Sequence, residues 1–316
     1  MSATNSNAQS AAQSIDAHNL SFAPKPPTFT SKAEEREWLK FRLAQSFRIF
    51  GHLGYNEGVA GHITVRDPIR PDCFWVNPFG LHFSLIQPSD LLLVDPKDES
   101  GPRRLLNTAA YMIHSAIHAA RPDVICAAHT HSMHGKAFSS LGVPLDMLNQ
   151  DSCAFYDDIV VYSQFNGIVL DEEEGNHIAQ ALGSKKVRCS CSLEHQSLSI
   201  RVGSTGTYNS DSQAAILQNH GLLVATNTIE ATVFFYIALE RACQAQLLAD
   251  AAAGGRGGRP VRIPNEEALK TSKTNGNMTA GWFQGLPEFQ FLEAREGVTF
   301  ALNKGKDAKG EMKPSN

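Results

Sequence analysis

The run from Val124 to Gly135, "VICAAHTHSMHG", constrains the fold more than any other stretch of the chain. Up to Ala128 it is apolar on both faces and short, which reads as a strand buried inside a sheet. Such a strand needs cover above and below, so helices must pack on the sheet. The run then ends in His129 and His131, two positions apart, with His134 beyond. In an extended segment positions i and i+2 share a face, so His129 and His131 can reach one ion together from the strand end. His134 is displaced past the strand and placed to turn away. Clustered histidines at the mouth of a core strand need a reason, because buried polar groups without partners are costly.

The rest of the chain alternates strand and helix signals. Thr30 and Ser31 can cap a helix through "WLKFRLAQSFRIFGHLG", with Glu34 closing a capping box. "GHITVRD", "CFWVN" and "DLLLVD" read as short strands, and "LLNTAAYMIHSAIHAARPD" as a helix stopped by Pro122. "DDIVVYS" and "NGIVL" read as strands and "DEEEGNHIAQALG" as a helix. "AAILQNHGLLVAT" is a second buried strand with a glycine turn inside it, followed by the long amphipathic helix "TIEATVFFYIALERACQAQLLADAAA". The pattern predicts one α/β domain over 29–252 and a C-terminal extension over 253–301. The polar ends, 1–28 and 302–316, read as disordered or flexible.

Function classes narrow by exclusion. A net charge of −4 gives no general case for nucleic-acid binding. No apolar run approaches the ~20 residues of a membrane span, and the N-terminus lacks a signal or transit pattern. The six cysteines show no disulfide spacing, and Cys189–Cys191 lacks the second pair of a zinc knuckle. These features predict a reduced, cytoplasmic protein.

Val187 to Gln213, "VRCSCSLEHQSLSIRVGSTGTYNSDSQ", does not fit its surroundings. A Ser-rich, weakly patterned loop of this length is unusual inside a compact domain. Valine codons begin with GT, a glutamine codon can be CAG, and Ser-Asp can encode CTGAC, which match a splice donor, acceptor and branch point. Two readings stay open: a translated intron and a surface insertion. The transcript sequence decides between them.

For the metal, a third ligand must come from another strand or turn. His220 in "LQNHGLL" is the best placed, flanked by apolar strand residues and followed by Gly221. Histidines favour zinc or iron(II) among divalent ions.

Here the motifs carry a resemblance. "RPDVICAAHTHS", then "NHGLL" about ninety residues later, with "YNEGVAGHITVRDP" and "WVNPFG", resemble the class II aldolase/adducin family over roughly residues 35 to 250. "AGWFQGLPEF" resembles the C-terminal segment of fungal members. The resemblance implies a three-layer α/β/α domain with a central, mostly antiparallel sheet. It implies His129, His131 and His220 as ligands of a divalent ion, usually zinc, and a homo-oligomer, commonly a tetramer with sites between subunits. Apolar contacts to a neighbour are then expected from Trp282, Phe283, Phe289 and Phe291, which can equally cover their own core.

An ion held by neutral histidines keeps its double charge and open positions. It can act as a Lewis acid on a 2-oxo acid or hydroxyketone and stabilise an enolate. A proton carrier is also needed, and here the chain departs from the family. Sugar-phosphate members carry a catalytic glutamate nineteen residues before the first metal histidine, and this chain has Ala110 there. Asp151, near where an epimerase branch places an acid, and His114, one turn beyond Ala110, are the catalytic candidates. Asn56, His62, Thr64 and Asn77 remain as substrate-binding candidates. Phe79 replaces a small hydroxyl expected beside a phosphate, which favours a non-phosphorylated, more apolar or carboxylate-bearing substrate.

The expected function is a metal-dependent lyase acting on a small carbonyl compound such as pyruvate, in specialised metabolism. A non-haem iron(II) oxygenase or decarboxylase on the same site is the alternative. A non-catalytic adducin-like interaction module is the third reading, set against the retained histidines.

Overall fold

The computed structural model describes residues 24–97, 105–165, 167, 172–183 and 213–300. Contacts divide the chain into residues 1–31 and 32–316, and every element named below lies in the second unit. Most of the expected insertion, residues 1–23 of the expected N-terminal tail and the whole of the expected C-terminal tail fall outside the described residues.

The described elements follow the predicted order, and the expected strand "NGIVL" (166–170) lies outside the described residues apart from Gly167. Helix α1 (Lys32–His52) leads to strands β1 (His62–Arg66), β2 (Phe74–Val76) and β3 (Leu92–Val94). Helix α2 (Thr108–Ala120), strand β4 (Cys126–Thr130) and a short helix α3 (Met133–Ser139) come next. A 3-10 turn (Ser152–Phe155), strand β5 (Ile159–Tyr162) and helix α4 (Glu172–Ala181) precede the hairpin of β6 (Ala214–Leu217) and β7 (Gly221–Thr226). Helices α5 (Ile229–Gly254), α6 (Asn265–Asn275) and α7 (Met278–Glu296) complete the described chain. "AAILQNHGLLVAT" is thus two antiparallel strands, because the turn at Gln218–His220 reverses the chain.

Among the described residues the strands form one sheet in the order β3-β2-β1-β4-β7-β6-β5. Every pairing is antiparallel except β5 with β6. β4 sits at the centre and is buried along its whole length. Its alternation separates two cores. Cys126 and Ala128 face a large cluster with Phe47 and Phe50 of α1, Phe235 and Tyr236 of α5, and Phe289 of α7. Ala127 faces a smaller cluster with Ile113 and Ile117 of α2 and Ile178 of α4. The result is the three-layer α/β/α arrangement.

The C-terminal extension is part of the larger core rather than an appendage. Helix α7 lies so close to α5 that a Cβ on Gly281 would come within 2.4 Å of the Phe235 ring, and one on Gly285 within 2.3 Å of the Glu230 carbonyl. Arg42 of α1 pairs with Glu230 of α5 and Glu293 of α7, tying the three helices together. Trp282 and Phe289 are buried within their own chain, whereas Phe283 and Phe291 are exposed.

Candidate metal centre

His129 and His131 continue the face of β4 that carries Ala127, the side covered by α2 and α4. His220 reaches them from the β6–β7 turn. That turn relies on Asn219 in the left-handed region (φ 58°), which Asn tolerates better than most residues. It also relies on Gly221, where any Cβ would lie 2.6 Å from the Thr130 carbonyl. Ligand nitrogens of His129, His131 and His220 all lie within 4.8 Å of one another. The His129 Nδ1 donates to the Leu222 carbonyl at 2.8 Å, which fixes the tautomer and leaves Nε2 free as a ligand atom.

The electrostatics suit neutral ligands. Burial is the main force holding His129 well below the usual imidazole range, with His220, His62 and His131 adding to it. Burial, then His131, lowers His220 to about 4. His131 is lowered by burial, an effect opposed by Glu57 and aided by Lys136. The donor set, its free nitrogen lone pairs and its neutral state fit a divalent ion.

These shifts predict a stability profile for metal-free protein. Unfolded histidines gain a proton near pH 6.5, whereas folded His220 resists to about 4 and buried His118 to about 3. Between those limits the unfolded state binds more protons, so stability falls as pH falls. The melting temperature should be level just above pH 6.5 and decline steadily toward about 4. A flat melting temperature through that window would contradict the buried neutral state.

His134 turns away as expected. Its Nδ1 meets the carboxylate of Glu240, on α5, at 3.0 Å. Glu240 also accepts the backbone N–H of His134 (2.8 Å) and Gly135 (2.7 Å) and the Ser132 hydroxyl (2.5 Å). One buried carboxylate thereby caps α3 just after His131.

The three histidines open onto a cavity of about 740 Å³. His62, Phe79, Ile113, Met133, Lys136 and Phe165 are among the residues lining it. His62 stands opposite His129 in the β1–β4 register. Its ring nitrogens have no hydrogen-bond partner among the described residues, and its ring packs on those of His129 and His114. His114 sits behind it, with Nδ1 2.6 Å from the Thr64 hydroxyl, which also lies 2.9 Å from His118 Nε2. His114 therefore backs His62, Thr64 bonds to His114, and neither is among the residues lining the cavity.

Other expected site residues lie elsewhere in this chain. Asn56 pairs with His82 at the surface, and Asn77 is buried beside its own turn; neither lines the cavity. Ala110 is buried, and the cavity wall at α2 is formed by Asn107, Ala109 and Ile113. Asp151 borders a separate cavity with Arg241 and Glu288. The turn after it carries Ala154 and Phe155 into the larger core, on the sheet face opposite the histidines. The sequence reading missed Met133, Lys136 and Glu240. Met133, Lys136, Ala137 and Ser140 follow helical spacing straight after the ligand pair, a legible signal. Glu240 had none.

A mixed sheet covered by helices, with three histidines gathered beside the end of its central strand, defines an α/β protein with a histidine cluster that could hold a metal ion. Residues 41–247 match the Class II Aldolase and Adducin N-terminal domain, and the chain belongs to that family. It is 37% identical to decarboxylase NovR of Streptomyces niveus, covering 86% of this chain and 90% of the relative. It is 38% identical to a 4-hydroxy-3-prenylphenylpyruvate oxygenase/4-hydroxy-3-prenylbenzoate synthase of Streptomyces roseochromogenus subsp. oscitans, covering 85% and 87%. The solved L-fuculose 1-phosphate aldolase of Glaciozyma antarctica PI12 superposes with a TM-score of 0.70 at 42% identity, covering 86% of this chain and 95% of that one.

Proposed function

We propose that the chain is a divalent-metal-dependent carbon–carbon lyase. Its substrate is a small 2-oxo acid or hydroxyketone with an apolar substituent, and the bond made or broken lies beside the carbonyl. The observation that carries this reading is a three-histidine set opening onto a largely apolar cavity. A divalent ion held by His129, His131 and His220, zinc in the first instance, supplies Lewis acidity toward a carbonyl oxygen. The side chains around it do the rest. Phe79, Ile113, Met133 and Phe165 exclude water from the substituent. His62 offers a hydrogen bond to a bound oxygen, and His114 and Thr64 hold it from behind. Ala110 has no proton to transfer, and Asp151 lies across the sheet, so neither serves as proton carrier within one chain. The exposed Phe283 and Phe291 support assembly as a homo-oligomer.

A second reading, iron(II)-dependent oxygenation or decarboxylation at the same site, is supported by the names of the two Streptomyces relatives. One experiment separates them. Protein loaded with zinc or iron(II) is given pyruvate with an aldehyde, or phenylpyruvate, under nitrogen and under air, with products read by mass spectrometry. Products formed with zinc under nitrogen support the lyase. Turnover confined to iron(II) with oxygen consumption supports the second reading, and no product in any arm argues against both.

A further inference from the structure

The geometry points to Lys136 as the residue by which the cavity recognises the carboxylate of its substrate. The inference rests on the proposed function, and it assigns a specificity-determining contact there. Helix α3 begins two residues after the ligand His131. Its period of 3.6 places Met133, Lys136, Ala137 and Ser140 on the cavity side, and all four line it. Lys136 is the one cation among the described lining residues. Lys136 lines the same cavity as His129, His131 and His220.

At the mouth, Lys136 pairs with the Glu57 carboxylate, in the turn that also brings Val59 and Ala60 to the cavity. Glu57 is more than half exposed and Lys136 about a third. A surface pair of this kind is weak, and an ammonium has three donors. An arriving carboxylate can therefore share or take the place of Glu57 at little net loss of ion pairing. The apolar wall then receives the rest of the molecule. An apolar-chain 2-oxo acid matches both features, whereas a neutral carbonyl compound matches only the wall.

Calorimetric titration of zinc-loaded protein with phenylpyruvate and with its neutral amide, phenylpyruvamide, tests this. Wild type should bind the acid about tenfold more tightly than the amide, the scale of one charge-assisted hydrogen bond. Lys136→Met and Lys136→Gln should lose that preference while binding the amide as before, and Lys136→Arg should keep most of it. No preference in wild type, or a preference unchanged in both neutral variants, overturns the inference. The titrations are repeated on metal-free protein. A Lys136-dependent acid preference in metal-free protein upholds this contact whatever the metal does, whereas failure of the protein to take up added zinc refutes the metal reading, so the two failures are distinguishable.

Discussion

His129→Ala protein is expected to lose zinc binding by roughly a thousandfold while remaining folded. Structural zinc sites contribute about 10–16 kcal/mol, so one of three histidines carries about 4, which is some three decades in affinity. The tautomer of His129 is fixed by the Leu222 carbonyl, so its loss would remove the best-oriented lone pair of the three. His131→Ala and His220→Ala should behave alike, since the three ligand nitrogens share one small volume. His134→Ala should leave affinity nearly unchanged, because its ring serves Glu240. Competition for zinc against a chromophoric chelator measures all four. Unchanged zinc affinity in His129→Ala would refute the ligand assignment.

Glu240→Ala is the second large effect expected. Truncation strands the Ser132 hydroxyl and the backbone N–H groups of His134 and Gly135 around a buried void. Each unmade bond to a buried donor costs about 1–3 kcal/mol, so destabilisation of about 4 kcal/mol is expected. Urea melts should show it in metal-free protein. The turn that carries His131 into α3 is loosened at the same time, and zinc affinity should fall by about tenfold. Glu240→Asp keeps the charge on a shorter stem and should recover part of both. Wild-type zinc affinity in a destabilised Glu240→Ala protein would limit the carboxylate to a structural role.

The parts of the fold and site legible in the sequence share one property, local periodicity. Cys126 to His131 could be read as a buried strand whose last two histidines share a face, because strand alternation is set by covalent geometry. The helix stopped before Pro122 and the strand at His62–Arg66 were legible for the same reason. His220 was placed by flanking glycine and apolar residues and then by resemblance, since nothing local says which distant turn closes on β4. Where Asp151 lies was not legible, because it depends on which side of the sheet the following turn enters, a tertiary outcome. Thr64 was read as a substrate-binding group and His114 as a catalytic candidate, whereas here they bond to each other between β1 and α2. Glu240 was invisible because more than a hundred residues separate it from the turn it holds.

The close seating of α7 on α5 has a consequence for how this protein is divided. The family match ends at residue 247, inside α5, and well before the glycines that let α7 approach. The stretch that the family model spans is therefore smaller than the unit that folds, and the relatives align beyond it. Phe235 and Tyr236 would lose part of their cover in a chain cut at the family boundary, because Phe289 and Leu292 belong to the same cluster. The outer faces of α1 and α5, rather than the sheet itself, would be left greasy and open, so the last helix closes a second layer over the helices that cover the sheet.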